Sequence, residues 1–355
     1  MKILAINPGS TSTKIGLYED KDLLFKASLE HSNEDLEQYH TIGSQFPMRK
    51  EAILSELRLK GYKIEDLDAV VGRGGILPPV KSGAYLVDEK LAYVLEHKPV
   101  LEHAANLGGL IAKNIADQVH IPAYIYDSVA VDELEDVARI TGLKEIKRTC
   151  LAHALNMRAM AIKTAEQLGK PYKETNQIVV HLGGGFSLSA HQGGRMIDIV
   201  SDDEGPFSPE RSGRLPIKDF MKYAQHYDIK TLTKNVRGKA GLVSLLGTNS
   251  ALKVEEMIKE GNEEAKLAYE AMAYQIAKAI GELATVLYGK VDAITLTGGI
   301  AYSDFITSYI TKRVDFIAPV HILPGENELE ALAHGAYRVL TGEEKANEFV
   351  DLRDL

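Results

Sequence analysis

Short apolar runs recur along the chain, and each is followed by a turn of glycine or small hydroxyl residues. An apolar run of about four to eight residues bounded by turn residues is typical of a buried strand. The clearest strand-and-turn pairs are residues 3–6 with 7–14, residues 177–180 with 181–187, and residues 293–297 with 298–300. We therefore predict buried strands that each end in a turn of small residues.

Longer segments with apolar residues at helical intervals separate these strands and predict helices. They are residues 34–60, 91–98, 103–116, 150–168, 255–287 and 329–340. Further strands are predicted at 69–75, where Arg73 lies between glycines, and at 123–127, which ends on Asp127. Residues 201–216 are charged and show little periodicity, so they are predicted to form a loop. Alternating strands and helices indicate an α/β fold.

Two glycine- and hydroxyl-rich hairpins, at residues 7–18 and 181–190, each begin a series of strands and helices, which indicates an internal duplication. The length of 355 residues exceeds one typical core, so two domains are expected. We predict an N-terminal domain at 1–150 and a C-terminal domain at 151–330. The C-terminal helix and tail, 331–355, are predicted to join the first domain.

The composition is that of a globular protein, with 45% hydrophobic and 26% charged residues. A net charge of -9 argues against nucleic acid or an anionic membrane as the partner, since both favour a basic face. Cys150 is the only cysteine, so we expect a reducing compartment and a buried thiol. No apolar run reaches membrane length, and Asn7-Pro8 comes too early for a signal peptide, so a cytoplasmic protein is expected. The charged segment 343–355 is expected to be a solvated end.

Gly183, Gly184 and Gly185 directly follow a predicted strand and offer no side chain for packing. Glycine costs backbone entropy, and it serves where φ is positive or where a group must approach the backbone closely. Such a turn can direct several N–H groups at one phosphate. Alone, this motif fits a glycine-rich hairpin better than a phosphate site, but three such turns together favour a polyphosphate.

Residues 3–14, I-L-A-I-N-P-G-S-T-S-T-K, closely resemble the N-terminal signature of the acetate and butyrate kinase family, in the actin, Hsp70 and sugar kinase superfamily. Other matching segments follow in family order around Arg73, His103, Asp127, His153, 181–185, Arg211, 298–300 and Glu328. The butyrate branch of the family is the most similar. The resemblance implies duplicated ribonuclease-H-like domains, as in actin-like ATPases, with the active site in the interdomain cleft. It also implies ATP, Mg²⁺ and reversible in-line transfer of the γ-phosphoryl group to a short-chain carboxylate.

The resemblance also assigns roles to individual residues. Metal binding is implied for Asn7 and Glu328. Contacts with the reacting groups are implied for Arg73, His103, Asp127, His153 and Arg211. Nucleotide binding is implied for Asn7, Ser10, Ser12, Lys14, His181, Gly183, Gly184, Gly185, Gly298, Gly299 and Ile300. The resemblance also implies that the second domain is the nucleotide-binding domain. The expected partners are ATP and a short-chain carboxylate, without nucleic acid or membrane, and the chain is expected to form a homo-oligomer.

A carboxylic acid with a pKa of about 4 is already ionised at neutral pH, so the acceptor needs no general base. We therefore expect Asp127 to orient metal-bound water or the substrate. The loose transition state of phosphoryl transfer carries charge on its equatorial oxygens, and Arg73 and Arg211 can neutralise it with bidentate contacts. His153 would donate to a transferring oxygen, and His103 would support the substrate or Arg73.

Each of these residues also has a purely structural interpretation. An arginine is most often in a surface ion pair, a histidine in an apolar helix most often belongs to the core, and Lys14 could simply face solvent. Asp127 could cap a helix after its strand, and Glu328 could be favoured by a helix dipole. The family resemblance favours the functional interpretation of His153 and leaves that of His103 open.

Two positions bear on the size of the acid. Acetate kinases tend to have valine near Gly75 and phenylalanine before the catalytic histidine, where this chain has Ala152. Both changes are expected to vacate volume, and two more buried methylenes are worth roughly 1.6 kcal/mol, or about a tenfold preference. We expect butyrate or a branched acid such as isobutyrate, with acetate or propionate as the alternative.

One segment departs from the family pattern. Members usually present an Asp-x-Arg pair after the motif at 246–249, whereas residues 250–253 read S-A-L-K, so Lys253 could replace the arginine without its planar fork. Two other classes remain as alternatives, an actin- or Hsp70-like ATP-binding protein and a sugar kinase. Sugar kinases usually begin their first loop with Asp, and this chain has Asn7.

Overall fold

The computed structural model describes residues 1–150, 152–351 and 353. Its strands are β1 (Lys2–Pro8), β2 (Ser12–Glu19), β3 (Asp22–Glu30), β4 (Ala69–Arg73), β5 (Ala84–Leu86), β6 (Ala123–Tyr126), β7 (Gln177–Leu182), β8 (Phe186–Gln192), β9 (Arg195–Val200), β10 (Ala293–Gly298) and β11 (Val320–Pro324). The strands predicted from the apolar runs are confirmed as β1, β4, β6, β7 and β10.

The helices are α1 (Asn33–Glu37), α2 (Phe46–Leu59), α3 (Glu89–His97), α4 (Asn106–Val119), α5 (Ala154–Gln167), α6 (Ile217–Ala224), α7 (Ile229–Val236), α8 (Gly241–Leu246), α9 (Ala251–Lys259), α10 (Glu263–Val286), α11 (Asp304–Val314) and α12 (Glu328–Leu340). Short 3₁₀ helices occupy Gly43–Gln45, Ile64–Asp66, Asp136–Arg139, Tyr172–Glu174 and Gly299–Tyr302. The helix predicted at 150–168 begins only at Ala154, because His153 has a non-helical backbone with ψ of 57°. In the described part of the chain, no helix is both long and apolar enough to span a membrane.

The first sheet has the strand order β3-β2-β1-β4-β6-β5. β1, β2 and β3 form an antiparallel meander, while β1, β4 and β6 run parallel. Successive side chains of a strand point to opposite faces, and Gly72 packs against Gly108 of α4 whereas Arg73 contacts Glu328 of α12. α4 and α12 therefore cover opposite faces of this sheet, and residues 3–6 between them are fully buried.

The second sheet has the order β11-β10-β7-β8-β9. β7, β8 and β9 form an antiparallel meander, β10 pairs in parallel with β7, and β11 pairs in parallel with β10. The connectivity of β1-β2-β3-β4-β6 is thus repeated by β7-β8-β9-β10-β11. This repetition supports the predicted duplication, and the hairpins predicted at 7–18 and 181–190 are confirmed. The fully buried Met272, Ile276 and Ile280 of α10 belong to the same core cluster as strand residues of this sheet.

The chain divides into two compact units. The first consists of Met1–Glu133, Ala154–Asn156 and Asn327–Leu355, and the second of Leu134–His153 and Met157–Glu326. The predicted domains, 1–150 with 331–355 and 151–330, differ from these units mainly in residues 134–150, and we retain them as a proposal. The described residues do not include Leu151, at the predicted boundary, or Leu352, Asp354 and Leu355 of the predicted tail.

The segment after α12 packs against the first sheet. The Tyr126 hydroxyl donates to Glu344 (2.6 Å), and the Asn347 N–H donates to the Ala84 carbonyl oxygen (2.7 Å). Phe349 is buried. The expectation of a solvated end is therefore wrong for this segment, because its backbone and side chains satisfy polar groups of β5 and β6.

Candidate active site

The parallel strands of the first sheet end at one edge, where several predicted residues come together. β1 ends at Pro8, β4 at Arg73 and β6 at Tyr126, and Arg73 is paired in register with Tyr126. Asn7 and Asp127 therefore lie at the same edge as Arg73. Because ligands of open α/β sheets bind at the carboxyl ends of parallel strands, this edge is a candidate site.

Glu328, the first residue of α12, joins Asn7 and Arg73. The side-chain amide of Asn7 donates to one carboxylate oxygen of Glu328, and the guanidinium of Arg73 forms an ion pair with the other. The side chains of Arg73 and Glu328 are each 19% exposed, so water screens this ion pair less than it screens a surface pair. Three predicted site residues from distant parts of the chain thus form one cluster.

Asp127 is 3% exposed and has a positive φ of 40°. A non-glycine residue in this region costs on the order of 1 kcal/mol or more, and such residues concentrate at functional sites. The carboxylate accepts the Gly83 N–H (2.7 Å), and the Asp127 N–H donates to the Gly83 carbonyl oxygen (3.2 Å). No helix begins in the described residues 128–133, so the helix-cap interpretation of Asp127 is wrong.

The hairpin turn between β1 and β2 presents the residues predicted to bind phosphate. Asn7 and Lys14 are directly opposite each other in the register, and Ser12 alternates onto the same face. This is the face on which Asn7 contacts Glu328. Lys14 is exposed, and so is Ser10 at the tip of the turn.

Gly75 does not open the free volume that was predicted for it. A Cβ atom at this position would lie 2.4 Å from Oδ1 of Asn106 and 2.8 Å from Cδ2 of Leu95. Asn106 is fixed there because it accepts the Ile76 N–H (2.8 Å) and donates to the Leu101 carbonyl oxygen (2.9 Å). Glycine is required at this position for close packing, so the volume argument at Gly75 is wrong.

His103 lines a cavity of about 540 Å³ in the first unit, together with Phe46 and Leu95. The Ala105 N–H donates to Nδ1 of His103 (3.1 Å), so Nδ1 is the unprotonated nitrogen. Burial, and to a smaller extent the charge of Arg73, lowers the pKa of His103. At neutral pH the ring is therefore neutral, with its proton on Nε2.

In the second unit, β7 and β10 are parallel neighbours, and the turns that follow them lie side by side. Gly298 has φ of 89°, and a Cβ atom there would lie 2.4 Å from the Leu182 carbonyl oxygen, so glycine is required. Gly298 and Gly325 exchange backbone hydrogen bonds of 3.0 and 3.3 Å. A Cβ atom on Gly299 would meet no atom within 4 Å, so the backbone at this point is open to a ligand.

The glycine turn after β7 lies against the charged loop that follows β9. The Ser208 hydroxyl donates to the Gly184 carbonyl oxygen (2.6 Å), and a Cβ atom on Gly185 would lie 3.0 Å from Arg211 and 3.1 Å from Asp202. Arg211 and Asp202 form an ion pair. Burial raises the pKa of Asp202, and the charge of Arg211 opposes that shift. The pair holds the Arg211 guanidinium beside the glycine turn.

Two further arginines attach this loop to the rest of the second unit. Arg148 donates to both carboxylate oxygens of Glu204 (2.9 and 3.0 Å), and Arg214 donates to both of Glu282 (2.7 and 3.0 Å). Bidentate contacts of this kind restrain orientation as well as distance. The predicted loop at 201–216 is confirmed, and its ends are held by ion pairs.

The imidazole rings of His153 and His181 are stacked, with centroids 4.0 Å apart and planes at 15°. His153 Nδ1 lies 3.0 Å from Ser187 Oγ, which orients the ring. Ser187 was not among the predicted residues. The sequence feature that could have predicted it is the hairpin register, because the short turn after β7 places Ser187 directly opposite His181.

Known proteins are similar to this chain in sequence and in fold. Residues 144–327 match the model of the acetokinase family. Butyrate kinase 1 and butyrate kinase 2 of Clostridium acetobutylicum are each 48% identical to the chain over 352 residues, 98% of this chain and 99% of each relative. The chain belongs to the acetokinase family. The crystal structure of Porphyromonas gingivalis acetate kinase is 21% identical to this family member and aligns with a TM-score of 0.77, covering 97% of this chain and 100% of the other.

These matches confirm the family resemblance and the expected fold class. The predicted site residues of this acetokinase family member are divided between the two compact units. The first unit holds Asn7, Ser10, Ser12, Lys14, Arg73, Gly75, His103, Asp127 and Glu328. The second holds Ala152, His153, His181, Gly183, Gly184, Gly185, Arg211, Gly298, Gly299 and Ile300. His181 and Ile300 are buried, and Ala152 is partly buried beside His153.

The segment that departs from the family pattern begins α9. The Ser250 hydroxyl accepts the Lys253 N–H (3.3 Å), which is the usual N-cap contact of a helix. The preceding residue, Asn249, donates its side-chain amide to Glu210 (2.6 Å). Lys253 is exposed. Ser250 therefore has a structural role that the sequence comparison with the family did not indicate.

Proposed function

We propose that this protein is a butyrate kinase, which transfers the γ-phosphoryl group of ATP reversibly to butyrate or to a branched acid such as isobutyrate. The products are the acyl phosphate and ADP. One observation carries the proposal: Asn7, Arg73 and Glu328 form a cluster at the carboxyl edge of the first sheet. It occurs in a chain that is 48% identical to two butyrate kinases along nearly its whole length.

The acid substrate needs a cation more than it needs a base. A short-chain carboxylic acid has a pKa of about 4, so it is ionised at neutral pH and already nucleophilic. We assign its carboxylate to Arg73, whose guanidinium binds a carboxylate in the structure, that of Glu328. Asp127 would then orient the acid, and the neutral His103 would donate from Nε2 to the acid or support Arg73.

The phosphates of ATP are assigned to backbone N–H groups at turns. In the second unit these are the turn at 183–185 and the one that begins at Gly299, where the space around the backbone is open. In the first unit, Ser10, Ser12 and Lys14 at the β1–β2 turn supply hydroxyl and ammonium donors. Small residues are needed at both places because a phosphate must approach the backbone closely.

A magnesium ion fits the Asn7 and Glu328 pair. Within the described ranges, no three His, Cys, Asp or Glu side chains cluster closely enough to hold a metal ion. Mg²⁺ in kinases is usually held by one or two carboxylates together with substrate phosphates and water, so a full protein cage is not expected. Asn7 uses its amide nitrogen toward Glu328, so its oxygen can turn to the ion. When bound, the ion neutralises charge on the phosphates.

The transferring phosphoryl group is assigned to His153 and Arg211. The contact with Ser187 and the stacking on His181 fix the His153 ring, so that no reorganisation is needed during transfer. Arg211 is held beside the glycine turn by Asp202. Positioned cations and N–H donors of this kind stabilise the charge that develops on the equatorial oxygens.

Preference for a four-carbon acid is assigned to Ala152 alone. Gly75 is filled by Asn106 and Leu95, so it adds no room for extra methylenes. Ala152 precedes His153 and carries only a methyl group. If this position fails to enlarge the site, the alternative assignment, an acetate or propionate kinase, is favoured.

The assay for this proposal measures acyl phosphate directly. Purified protein is incubated with ATP, MgCl₂, hydroxylamine and one acid at a time: acetate, propionate, butyrate, isobutyrate or valerate. We expect acyl hydroxamate with kcat/KM highest for butyrate or isobutyrate. Highest kcat/KM for acetate or propionate would favour the alternative assignment, and ATP hydrolysis without any hydroxamate would favour an actin- or Hsp70-like ATP-binding protein.

We also propose that copies of the chain associate and that the protein is cytoplasmic. Apolar side chains on α6 and α7 are exposed, with Ile217 at 74%, Met221 at 61% and Ile229 at 78%, which favours their burial against another copy. The single cysteine, Cys150, is buried, as expected for a chain that needs no disulfide. Light scattering of the purified protein tests the first point, because a monomer at micromolar concentration would contradict it.

A further inference from the structure

Arg49 of α2 is fully buried directly beneath the β1–β2 turn. Its guanidinium donates to the carbonyl oxygens of Gly9 (2.9 Å), Ser10 (3.0 Å) and Ser12 (3.1 Å). Gln45, one helical turn earlier, accepts from Nε (3.1 Å) and Nη2 (2.9 Å). The side chain of one arginine therefore binds three of the four carbonyl groups of residues 9–12 from below the turn.

Every hydrogen-bond partner that Arg49 has in the described part of the chain is a neutral oxygen. Besides the three carbonyl groups and Gln45, the remaining partner is the Thr13 hydroxyl (3.0 Å). Among the described residues, no carboxylate lies within ion-pair distance of this guanidinium. Burying a charge is costly unless it is compensated, and hydrogen bonds to neutral groups compensate it only in part.

Thr13 connects Arg49 to a second buried residue, His31. An arginine can only donate, so the Thr13 hydroxyl accepts from Arg49, and the same hydroxyl is hydrogen-bonded to His31 Nε2 (2.8 Å). Burial, followed by the charge of Arg49, lowers the pKa of His31. The hydrogen-bonded network beneath the turn is thus cationic at Arg49 and neutral at His31, and the nearby carboxylates of Glu30 and Asp35 oppose the lowering of the His31 pKa only in part.

The inward carbonyl groups determine where the N–H groups of the turn point. In a trans peptide, the C=O and the following N–H are antiparallel. The Gly9 and Ser10 carbonyl groups point down to Arg49, so the N–H groups of Ser10 and Thr11 point outward. Both residues are exposed, and these two N–H groups find no acceptor in the described residues. Adjacent outward N–H groups form a concave site for an anion.

We infer that Arg49 is a positioning residue that shapes the β1–β2 turn to bind a phosphate chain, and that the bound phosphate supplies the counter-charge that Arg49 lacks. Arg49 does not reach the ligand, because it is fully buried behind the turn. It acts by orienting the N–H groups of Ser10 and Thr11 and by placing a positive charge behind them. The inference rests on the proposed function only in taking the phosphate chain to be that of ATP.

The test compares Arg49→Met, Arg49→Lys and a matched control, Arg338→Met. Arg338 is also a poorly exposed arginine of the first unit, but it donates to Tyr126 (2.7 Å) and pairs with Glu344 (3.2 Å), away from the turn. Calorimetry measures the Kd for ATP and for inorganic triphosphate, and urea unfolding measures stability. We expect Arg49→Met to weaken both ligands at least about tenfold, the loss of one charge-assisted interaction. Arg49→Lys keeps the charge and should recover part of the affinity.

A role in folding alone predicts a different pattern. Arg49→Met and Arg338→Met would then lower stability while leaving the Kd for ATP within about twofold of the parent, and that result would overturn the inference. If Arg49→Met does not fold, Arg49→Lys decides, because its KM for ATP should rise while its KM for butyrate stays constant. An equal rise in both KM values would contradict the inference. Because calorimetry needs no turnover, a protein that binds ATP but forms no acyl hydroxamate contradicts only the proposed function.

Discussion

Arg73 and Glu328 form an ion pair between the end of β4 and the start of α12, although they are 255 positions apart in the chain. The same carboxylate accepts a hydrogen bond from Asn7, at the end of β1. α12 thus places one acid between a cation and an amide, both at the carboxyl edge of the first sheet. The arrangement keeps Arg73 oriented before any substrate binds, which reduces the reorganisation needed during the reaction.

We predict that Glu328→Gln lowers kcat by on the order of 100-fold, because an amide replaces both the carboxylate partner of Arg73 and the proposed metal ligand. The MgCl₂ concentration for half-maximal activity should rise as well. Steady-state kinetics across a magnesium titration measures both effects. Glu343→Gln, at an exposed glutamate just after α12, is the matched control and should leave kcat within about twofold. A kcat in Glu328→Gln equal to that of the control would exclude Glu328 from the active site.

The loop after β9 offers a second comparison between two arginines. Arg211 lies beside the glycine turn, whereas Arg214 forms a bidentate ion pair with Glu282. We predict that Arg211→Lys lowers kcat/KM about 100-fold, because lysine cannot offer two parallel donors to the transferring group. Arg214→Lys should lower it less than about threefold. Similar losses in both variants would indicate a general effect on the loop instead of a contact with the reacting group.

Gly299→Ala separates ligand binding from stability at the turn after β10. An added Cβ atom meets no protein atom within 4 Å, and Gly299 does not have a positive φ. Alanine at this position should therefore not destabilise the fold. If a phosphate approaches this backbone, the methyl group should raise the KM for ATP about tenfold. Gly281→Ala, on α10, is the control because an added Cβ atom there also meets no atom within 4 Å. It should leave the KM for ATP unchanged and should not lower the free energy of unfolding. An unchanged KM in Gly299→Ala would remove this turn from the nucleotide site.

The strands and turns could be predicted from the sequence because their signals are local. An apolar run followed by glycines fixes β7 and its turn, and the hairpin at 181–190 follows from the same pattern. Local sequence patterns could not predict the cluster at the carboxyl edge, because the contact between Arg73 and Glu328 depends on how α12 packs on the sheet. Only the family resemblance brought those two residues into one prediction.

Errors arose where close packing overrode a simple volume or propensity argument. Gly75 was expected to leave space, but in the fold Asn106 occupies it, a contact between residues 31 positions apart in the chain that no local pattern reports. Arg49 was missed for a related reason. In the sequence it lies in the predicted helical segment 34–60, where no local pattern distinguishes it from the other charged residues, and only the tertiary structure buries it beneath the first turn.

The buried His191 should make stability depend on pH. Its ring is fully buried between Tyr172 (2.7 Å from Nδ1) and Ser189 (2.6 Å from Nε2). Burial, together with the charge of Arg158, lowers the pKa of His191 to about 3. In the unfolded chain a histidine has a pKa of about 6.5. Between these two values the unfolded state binds a proton that the native state does not, so the free energy of unfolding falls as pH falls, by up to about 1.4 kcal/mol per pH unit.

The measurement is urea unfolding of the parent and of His191→Gln at pH 7, 6, 5 and 4. Glutamine cannot take up a proton in the unfolded state, so the variant should be less stable at pH 7 yet lose less stability on acidification. Carboxylates that titrate in this range are the same in both proteins, and the difference between the two curves therefore isolates His191. If the stability curves of the two proteins ran parallel between pH 6 and pH 4 as well, the native state would have to accommodate a charged His191, in conflict with its complete burial. Above about pH 6.5 the two curves should run parallel, because His191 is then neutral in both states.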